Sequence, residues 1–443
     1  MAATTTITVS DATLKGSVSG PTFTGNVDGS KFSGTVTYQA VSPPDPGPDP
    51  GPDPEPPDPV PPDGNWTPPS YLRTDTKTEQ VPNVSKPAYL APFTDPVFKT
   101  KIIRITGDPG TAIRGISGAR WDNVARHHYS SDQAWNCDQS LIYLDQPGIL
   151  LDGSSYEPVT MVKGLPSDSD VRWSPTDPAV MLYAAGSTLG TWNPKTGAKT
   201  TLKDFGGTYS DAKFGPWEGS PSEDGDMVVL SCSKGGRQTG FAYKISADKK
   251  YPDIQLSYDN VRISSKGTYI VWGQSPDVVK ITDLLGTAVT TLPNNYVSHF
   301  DVITDEDGEE VLVGRANGAS GTGQDGLVNK YRLRDGKRTV LGKIGWSYHT
   351  SSRALKIHRY CVSASADEGG SNQPGEGEIF LMNLDGSVAY RLCHHHIPRN
   401  IDYVAETQPS HSPDGGRVIF ASAWGASGST PRPVGCYVCD FRT

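Results

Sequence analysis

Short apolar runs separated by turn residues dominate the chain from Val97 onward. Arg417–Ser422 (RVIFAS) is rich in β-branched and aromatic side chains, which is typical of a strand buried on both faces. The segment before it, Ser412–Gly416 (SPDGG), contains Pro, Asp and Gly, the residues that favour tight turns. Long amphipathic helical periods are scarce, so the pattern predicts an all-β protein.

This strand-and-turn pattern recurs about every forty residues, which is the period of β-propeller blades. The seven units are Cys137–Gly164, Val171–Phe205, Gly219–Leu256, Val261–Pro293, Phe300–Gly342, Tyr348–Leu392 and Gln408–Thr443. The seventh unit lacks an outer strand, and Phe98–Thr106 (FKTKIIRIT) can supply it and close the ring. We therefore predict a seven-bladed β-propeller over residues 97–443.

Residues 1–42 carry a different, nine-residue repeat. Its three copies are Leu14–Gly20, Phe23–Gly29 and Phe32–Tyr38, each with an apolar residue, a Gly and a Val. The period suits a small stack of short strands, although a loose Gly/Thr-rich tail is the alternative. Because so short an array buries little surface, we expect an anchor to a virion or cell-surface protein, or a homo-oligomerisation module.

Residues 43–63 alternate Pro with Asp and Gly, which predicts an extended polyproline-like linker. Residues 64–96 lack periodicity and are predicted to wrap irregularly around the propeller. A repeat module, a stiff arm and a large β domain together resemble the fibre and appendage proteins of phages. That resemblance implies an extracellular or virion-associated location.

Composition narrows the classes of function. A net charge of −9 argues against nucleic-acid binding through phosphate contacts, so any acidic ligand needs a local basic cleft. No apolar run is long enough to span a membrane, and Met1–Thr6 has no pattern of a classical signal peptide. The six cysteines are too sparse for a disulfide scaffold in a chain of this size.

Histidines gather where blades begin, and in a propeller these positions face the central funnel. They are His127, His128, His299, His349, His394, His395 and His396. Such residues are either hydrogen-bonded loop residues or groups that serve a metal or a substrate.

Several segments together resemble the seven-bladed propeller polysaccharide lyases of the ulvan-lyase and oligogalacturonate-lyase type. They are Arg126–Leu144, Val171–Pro178, Ser298–Asp301, Trp346–Ala354 with Cys361, and Arg391–Gly425. The resemblance covers residues 97–443 and implies β-elimination on a uronate-containing acidic polysaccharide, as in a virion-associated depolymerase.

The resemblance also implies a metal. The ulvan-lyase type implies a structural zinc on His299, His349, Cys361 and one of His394–His396, whereas the oligogalacturonate-lyase type implies manganese on His349, His394, His396 and Gln408. A thiolate ligand favours zinc, and calcium is a further alternative. The competing hypothesis is a polar funnel without an ion.

The catalytic prediction rests on Arg126–Tyr129 (RHHY). Eliminating the C4 substituent of a uronate requires a neutralised carboxylate, a base for the α-proton and an acid for the leaving oxygen. We predict His128, beside His127, as the base, with Tyr129 or Tyr209 as the acid. Arg126 or Arg172 would bind the carboxylate, and Trp135, Asn136 and Trp217 would contact the sugar.

Two other functions remain open from the sequence. A non-catalytic phage fibre or decoration protein would bind host glycans through exposed aromatic side chains on its propeller, and a purely structural interaction propeller would need none of the catalytic groups. The aromatic candidates for glycan binding are Trp121, Trp135, Trp217 and Trp424.

Overall fold

The computed structural model comprises two compact units, Met1–Pro59 and Val60–Thr443. It describes residues 66–215, 218–256, 260–273, 279–292, 297–316, 326–342, 344, 347–365, 374–398, 403–426 and 433–442, and the backbone of four short strands in the first unit. The predicted linker, residues 43–63, lies outside the described residues, so the predicted domain boundaries stay a prediction.

The first unit contains two antiparallel hairpins. Their strands are β1 (Ile7–Val9), β2 (Ala12–Leu14), β3 (Thr22–Val27) and β4 (Ser30–Thr35). Phe23 pairs with Gly34, so the second hairpin joins two of the predicted nine-residue repeats. The proposed anchoring or oligomerising role of these repeats stays a prediction.

The second unit is a seven-bladed β-propeller, as predicted. Two strands precede the blades, β5 (Pro92–Thr94) and β6 (Lys101–Arg104). Blade 1 contains β7 (Leu141–Leu144), β8 (Ile149–Asp152) and β9 (Pro158–Met161); blade 2 contains β10 (Asp170–Trp173), β11 (Met181–Ala185), β12 (Thr188–Trp192) and β13 (Lys199–Asp204); blade 3 contains β14 (Ser210–Lys213), β15 (Met227–Lys234), β16 (Arg237–Lys244), β17 (Lys249–Lys250) and β18 (Ile254–Gln255).

The next three blades are four-stranded antiparallel sheets in chain order. Blade 4 contains β19 (Val261–Ile263), β20 (Tyr269–Trp272), β21 (Val279–Asp283) and β22 (Ala288–Leu292); blade 5 contains β23 (Ser298–Thr304), β24 (Glu310–Arg315), β25 (Val328–Arg332) and β26 (Arg338–Val340); blade 6 contains β27 (Ser347–Ser351), β28 (Tyr360–Ser365), β29 (Glu378–Asn383) and β30 (Ala389–His394). The first strand of each blade lies nearest the propeller axis.

Blade 7 closes the ring with strands from both ends of the propeller. Its strands β31 (Ser410–His411), β32 (Arg417–Ser422) and β33 (Gly435–Asp440) are followed in the sheet by β6 and β5. Val438 pairs with Ile103, so the predicted closure by the segment after Val97 is confirmed. The pairing removes an exposed sheet edge, which would otherwise invite association.

The predicted turn and strand patterns account for the blades. Gly415 has a φ of 79°, which glycine adopts without strain, and its N–H donates to Ser412 O at 2.9 Å. Apolar side chains of adjacent blades interlock; Val313 of blade 5, for example, packs in one cluster with Phe380 of blade 6. Burying each such side chain contributes about 2 kcal/mol. Among the described residues there is no α-helix, and none of their helical segments could span a bilayer.

Candidate active site

The innermost strands carry charged and imidazole side chains to the propeller axis. These residues are Asp170 and Arg172 on β10, Arg262 on β19, His299 and Asp301 on β23, and His349 on β27. The loop before blade 1 adds Arg126–Tyr129, and the turn before β31 adds Glu406 and Gln408. One end of the axis is therefore lined by polar side chains.

His128 is paired with a carboxylate that fixes its orientation. Its Nδ1–H donates to Asp132 Oδ2, and Arg172 Nε lies 2.8 Å from Asp132 Oδ1. Burial lowers the pKa of His128, but the opposing Asp132 charge and hydrogen bond are stronger together, so the pKa lies above its usual value. The side chain is 25% exposed and borders a cavity of about 70 Å³ that Arg172 also lines. This arrangement gives a histidine that can exchange protons with a ligand.

His127 is buried, and both of its ring nitrogens contact protein atoms. Its Nε2 lies 2.6 Å from Gln408 O, a carbonyl that can only accept, so Nε2 carries the proton. Its Nδ1 accepts from Cys436 Sγ at 3.5 Å. Burial, and then the charge of Arg126, lower the pKa of His127 to about 3. His127 is thus a neutral structural histidine.

Arg126 is also a structural residue. Its Nε donates to His127 O at 2.9 Å, its Nη1 donates to Val404 O at 2.8 Å, and its Nη2 donates to Gln408 Oε1. The guanidinium is buried and joins the loop before blade 1 to the turn before blade 7. Few of its donors remain for a substrate carboxylate.

Tyr129 lies in a cluster with two histidines on the axis. Its hydroxyl donates to His299 Nδ1 at 3.1 Å, and its ring meets His349 edge-on at 5.2 Å between centroids. Burial raises the pKa of Tyr129 well above 10 and lowers that of His299 to about 4. The tyrosine is therefore a protonated donor and the histidine a neutral acceptor at neutral pH.

Arg172 and Arg262 occupy comparable positions on the inner strands of blades 2 and 4. Arg172 is held by Asp132 and Asp170, and its Nε donates to Gly219 O at 2.6 Å. Both partners of Arg172 on the axis side are buried carboxylates. The structure thus brings Arg172 close to His128, as predicted, but engages its guanidinium with anions of the protein.

Arg262 is held less completely. Its Nε donates to Asn260 Oδ1 at 3.2 Å and its Nη2 donates to Glu218 Oε2 at 2.8 Å. Among the described residues its Nη1 has no hydrogen-bond partner, although the side chain is only 1% exposed. The nearest carboxylate to Nη1, Asp301 at 3.6 Å, is bound in bidentate fashion by Arg353. A buried guanidinium with an unused N–H is suited to binding an anion.

The other predicted substrate residues lie elsewhere. Tyr209 donates to Asp253 Oδ1 at 2.8 Å and packs beside two lysines of blade 3, away from His128. Trp135 is fully buried in the core, and the Asn136 amide is used by Ser140, Pro178 and the Leu141 N–H. Trp135 and Asn136 are therefore structural residues rather than surface contacts. Trp217 lies outside the described residues.

The predicted metal ligands fall into separate places. His299 and His349 adjoin, with ring centroids 4.6 Å apart. In blade 6, His349 pairs with Ala364, Ala364 pairs with Ile379, and Ile379 pairs with Cys393. His394, which follows Cys393, is therefore three strand spacings from His349, or about 14 Å.

Cys361 is buried in the cluster between blades 5 and 6, and His394 and His396 lie at the outer strand with Asp95 and Trp424. Neither predicted ligand set assembles. In the described part of the chain, no three His, Cys, Asp or Glu side chains converge as a metal-binding group.

One pair at the axis has the donors that a divalent ion would need. His349 Nε2 is buried without a hydrogen-bond partner among the described residues and lies 3.5 Å from Glu406 Oε2. Imidazole and carboxylate suit zinc or manganese, but two ligands do not make either predicted site.

Sequence reasoning missed Asp132, Arg262 and Glu406. Asp132 follows His128 by four residues, and this spacing was visible in the sequence, but it does not by itself indicate that the two side chains pair. The similarity between Asp170-Val-Arg172 and Asn260-Val-Arg262 was a further signal, since it marks equivalent inner-strand arginines.

Comparison with solved structures gives a fold likeness. The crystal structure of oligogalacturonate lyase from Vibrio parahaemolyticus superposes with a TM-score of 0.54 at 12% sequence identity, covering 79% of this chain and 96% of that chain. The likeness is one of fold. No family model matches the chain, and no curated protein matches it in sequence.

Two other solved structures superpose less closely. The β-propeller domain of Cps50 (Swd1) from Myceliophteria thermophila gives a TM-score of 0.41 at 11% identity, covering 71% of this chain and 96% of that chain. Hydrazine synthase from Kuenenia stuttgartiensis gives a TM-score of 0.42 at 16% identity, covering 70% of this chain and 96% of that chain. These scores are too low to support an argument about function.

Proposed function

We propose that the propeller is a polysaccharide lyase that cleaves a uronate-containing polysaccharide by β-elimination. The observation that carries the proposal is the pairing of His128 with Asp132 beside a cavity, next to the protonated Tyr129. The likeness to an oligogalacturonate lyase fold supports it without establishing the activity.

His128 acts as the base in this proposal. Its Nδ1–H bonds to Asp132, and in this proposal Nε2 takes the proton from the carbon next to the substrate carboxylate. The electron pair of that C–H bond forms the new carbon–carbon double bond, and the C4–O bond breaks. Asp132 stabilises the imidazolium that forms, as a carboxylate paired with a catalytic histidine does.

Arg262 is the residue that we assign to the substrate carboxylate. Its unused Nη1–H can donate to a carboxylate oxygen, and the positive charge stabilises the electron density that moves onto the carboxylate when the proton leaves. Arg126 and Arg172, the two arginines predicted from sequence, are less suited because protein oxygens occupy their donors.

Tyr129 is the proposed acid for the leaving oxygen. A phenol whose pKa is raised by burial stays protonated, and the bond to His299 holds its hydroxyl in place. The ring centroids of His128 and Tyr129 lie 6.5 Å apart, so the proposed base and the proposed acid are neighbours. No step is assigned to a metal, because the predicted ligand sets do not assemble.

The test is ultraviolet absorbance of the unsaturated uronate while purified protein meets a panel of acidic polysaccharides. We expect a rise on at least one polymer, abolished by His128→Ala and kept by His358→Gln, a control at a half-exposed histidine paired with Glu223. Binding without any rise would overturn the lyase proposal in favour of a glycan-binding fibre protein.

A further inference from the structure

An exposed aromatic side chain stands at the polar end of the propeller axis. Tyr403 is 62% exposed, the most exposed aromatic residue in the described part of the chain. The tryptophans that the sequence offered for glycan binding are buried where they are described, at 2% for Trp121, 0% for Trp135 and 7% for Trp424. Tyr403 is therefore the ring that a ligand can reach.

The turn that carries Tyr403 is fixed to the candidate active site. It is a single 3₁₀ turn, Tyr403–Ala405, whose central carbonyl, Val404 O, accepts from Arg126 Nη1 at 2.8 Å. Ala405 is fully buried against Ala421 and Val434. One end of the turn is thus packed in the protein while the tyrosine faces solvent.

Tyr403 also lies close to the charged groups of the axis. Its hydroxyl is within electrostatic range of Glu218, Arg126 and Glu406, and it is likewise within range of Tyr129. Val404 beside it is 38% exposed, so the ring is part of a small apolar surface next to polar catalytic groups. A pyranose presents the same combination, a face of C–H groups with hydroxyls around its edge.

We propose that Tyr403 is a stacking platform for a pyranose ring of the polysaccharide, at the sugar position next to the bond that is cleaved. The inference rests on the proposed function for the identity of the ligand. An aromatic ring held by its backbone offers contact area at little cost in conformational entropy. Burying the exposed ring under a sugar removes apolar area from water.

The experiment compares Tyr403→Ala, Tyr403→Phe and Tyr403→Trp in the absorbance assay and by calorimetric titration with the same polysaccharide. We expect Tyr403→Ala to raise KM and Kd about tenfold with kcat within about twofold, because the platform acts in binding rather than in chemistry. Tyr403→Phe and Tyr403→Trp keep the ring and are expected to remain near the unmodified protein.

Leu285→Ala is the matched control, since Leu285 is 64% exposed but lies in the outer hairpin between β21 and β22 of blade 4. Unchanged KM and Kd in Tyr403→Ala would overturn the inference, as would an equal loss in Tyr403→Phe. If no polymer is cleaved but one binds, the lyase proposal fails while the titrations still decide the role of Tyr403.

Discussion

Arg172 and Arg262 show how a carboxylate in one blade and an amide at the matching position of another change the surroundings of an arginine. Both lie on an innermost strand, two residues after an acidic or amide side chain, in Asp170-Val-Arg172 and Asn260-Val-Arg262. In blade 2 that side chain is a carboxylate, and Asp132 adds a second. In blade 4 it is an amide, and Arg262 is paired with Glu218 through Nη2, but its Nη1 has no hydrogen-bond partner among the described residues and lies 3.6 Å from Asp301. The comparison teaches that the proposal for Arg262 rests on an N–H without a hydrogen-bond partner, and not on the presence of an arginine alone.

The largest expected effect comes from replacing each arginine by methionine. Arg262→Met should lower kcat/KM at least a hundredfold, because a preorganised charge on the reacting carboxylate is lost, on the order of 3 kcal/mol. Arg172→Met should instead destabilise the fold by about 3–5 kcal/mol, because it leaves Asp132 and Asp170 buried without their cation. Steady-state kinetics and chemical denaturation of both variants separate the two roles; equal kinetic losses at equal stability would contradict them.

His127 and His128 differ in a similar way, and a pH profile of kcat/KM tests the difference. The pKa of His128 lies above 6.5, so the base form, and with it kcat/KM, should increase as the pH rises through a value above 6.5. Asp132→Asn removes the charge that raises this pKa and leaves the burial that lowers it. We expect the acidic limb of the profile to move to lower pH, with kcat reduced about tenfold. An unmoved limb would exclude His128 as the titrating base.

Asn260→Asp makes blade 4 resemble blade 2. The new carboxylate would bind Arg262 and compete with the substrate, so we expect kcat/KM to fall about tenfold through an increase in KM. Asn260 Nδ2 donates to Glu218 Oε2 at 2.6 Å, and the variant replaces this bond with repulsion between carboxylates, so thermal unfolding should be measured alongside.

Asn193→Asp is the matched control for this substitution. Asn193 lies in the outer turn of blade 2, between β12 and β13, and its Oδ1 accepts from two backbone N–H groups of that turn, which a carboxylate oxygen can also do. We expect its kinetics to stay near those of the unmodified protein. Identical kinetics in Asn260→Asp would mean that Arg262 does not bind the carboxylate.

The last expected effect concerns three buried histidines and the stability of the fold. Burial lowers the pKa of His127 to about 3 and of His299 and His411 to about 4. The unfolded chain binds protons at these positions below pH 6.5 and the folded protein does not, so stability should fall as the pH decreases from about 6.5 towards 4. Each is expected to contribute about 2 kcal/mol of destabilisation near pH 5. Thermal melts across this pH range test whether stability falls as the pH decreases. His127→Gln should weaken this pH dependence.

The sequence predicted the fold more fully than the site, for a physical reason. Strand and turn chemistry is local, so the forty-residue period and the closing strand before blade 1 could be read from residues such as Ser412–Gly416 and Phe98–Thr106. His128 and Arg172 were also candidates from the sequence, because histidines and arginines near the start of a blade are visible there, and their roles stay a prediction. His128 meets Asp132 within one loop, but the contact of Arg172 with Asp132 joins that loop to blade 2, and no local pattern specifies such a contact.

The predicted metal sets and substrate contacts depended on such contacts. His349 and His394 are both near the ends of strands in blade 6, but the pairing of β27 through β30 puts three strand spacings between them. Trp135 looked exposed in a loop, whereas its bridge to Ile142 makes it part of the blade interior. Sequence identified the chemical groups, and the register of the sheets decided which of them meet.

The most direct test of the account is cleavage of the responsive polysaccharide in water labelled with heavy oxygen, followed by mass spectrometry of the products. The account predicts unlabelled products with one unsaturated uronate end, because elimination takes no oxygen from water. Incorporation of one labelled oxygen at the new chain end, without unsaturation, would identify hydrolysis and contradict the β-elimination assigned to His128, Tyr129 and Arg262.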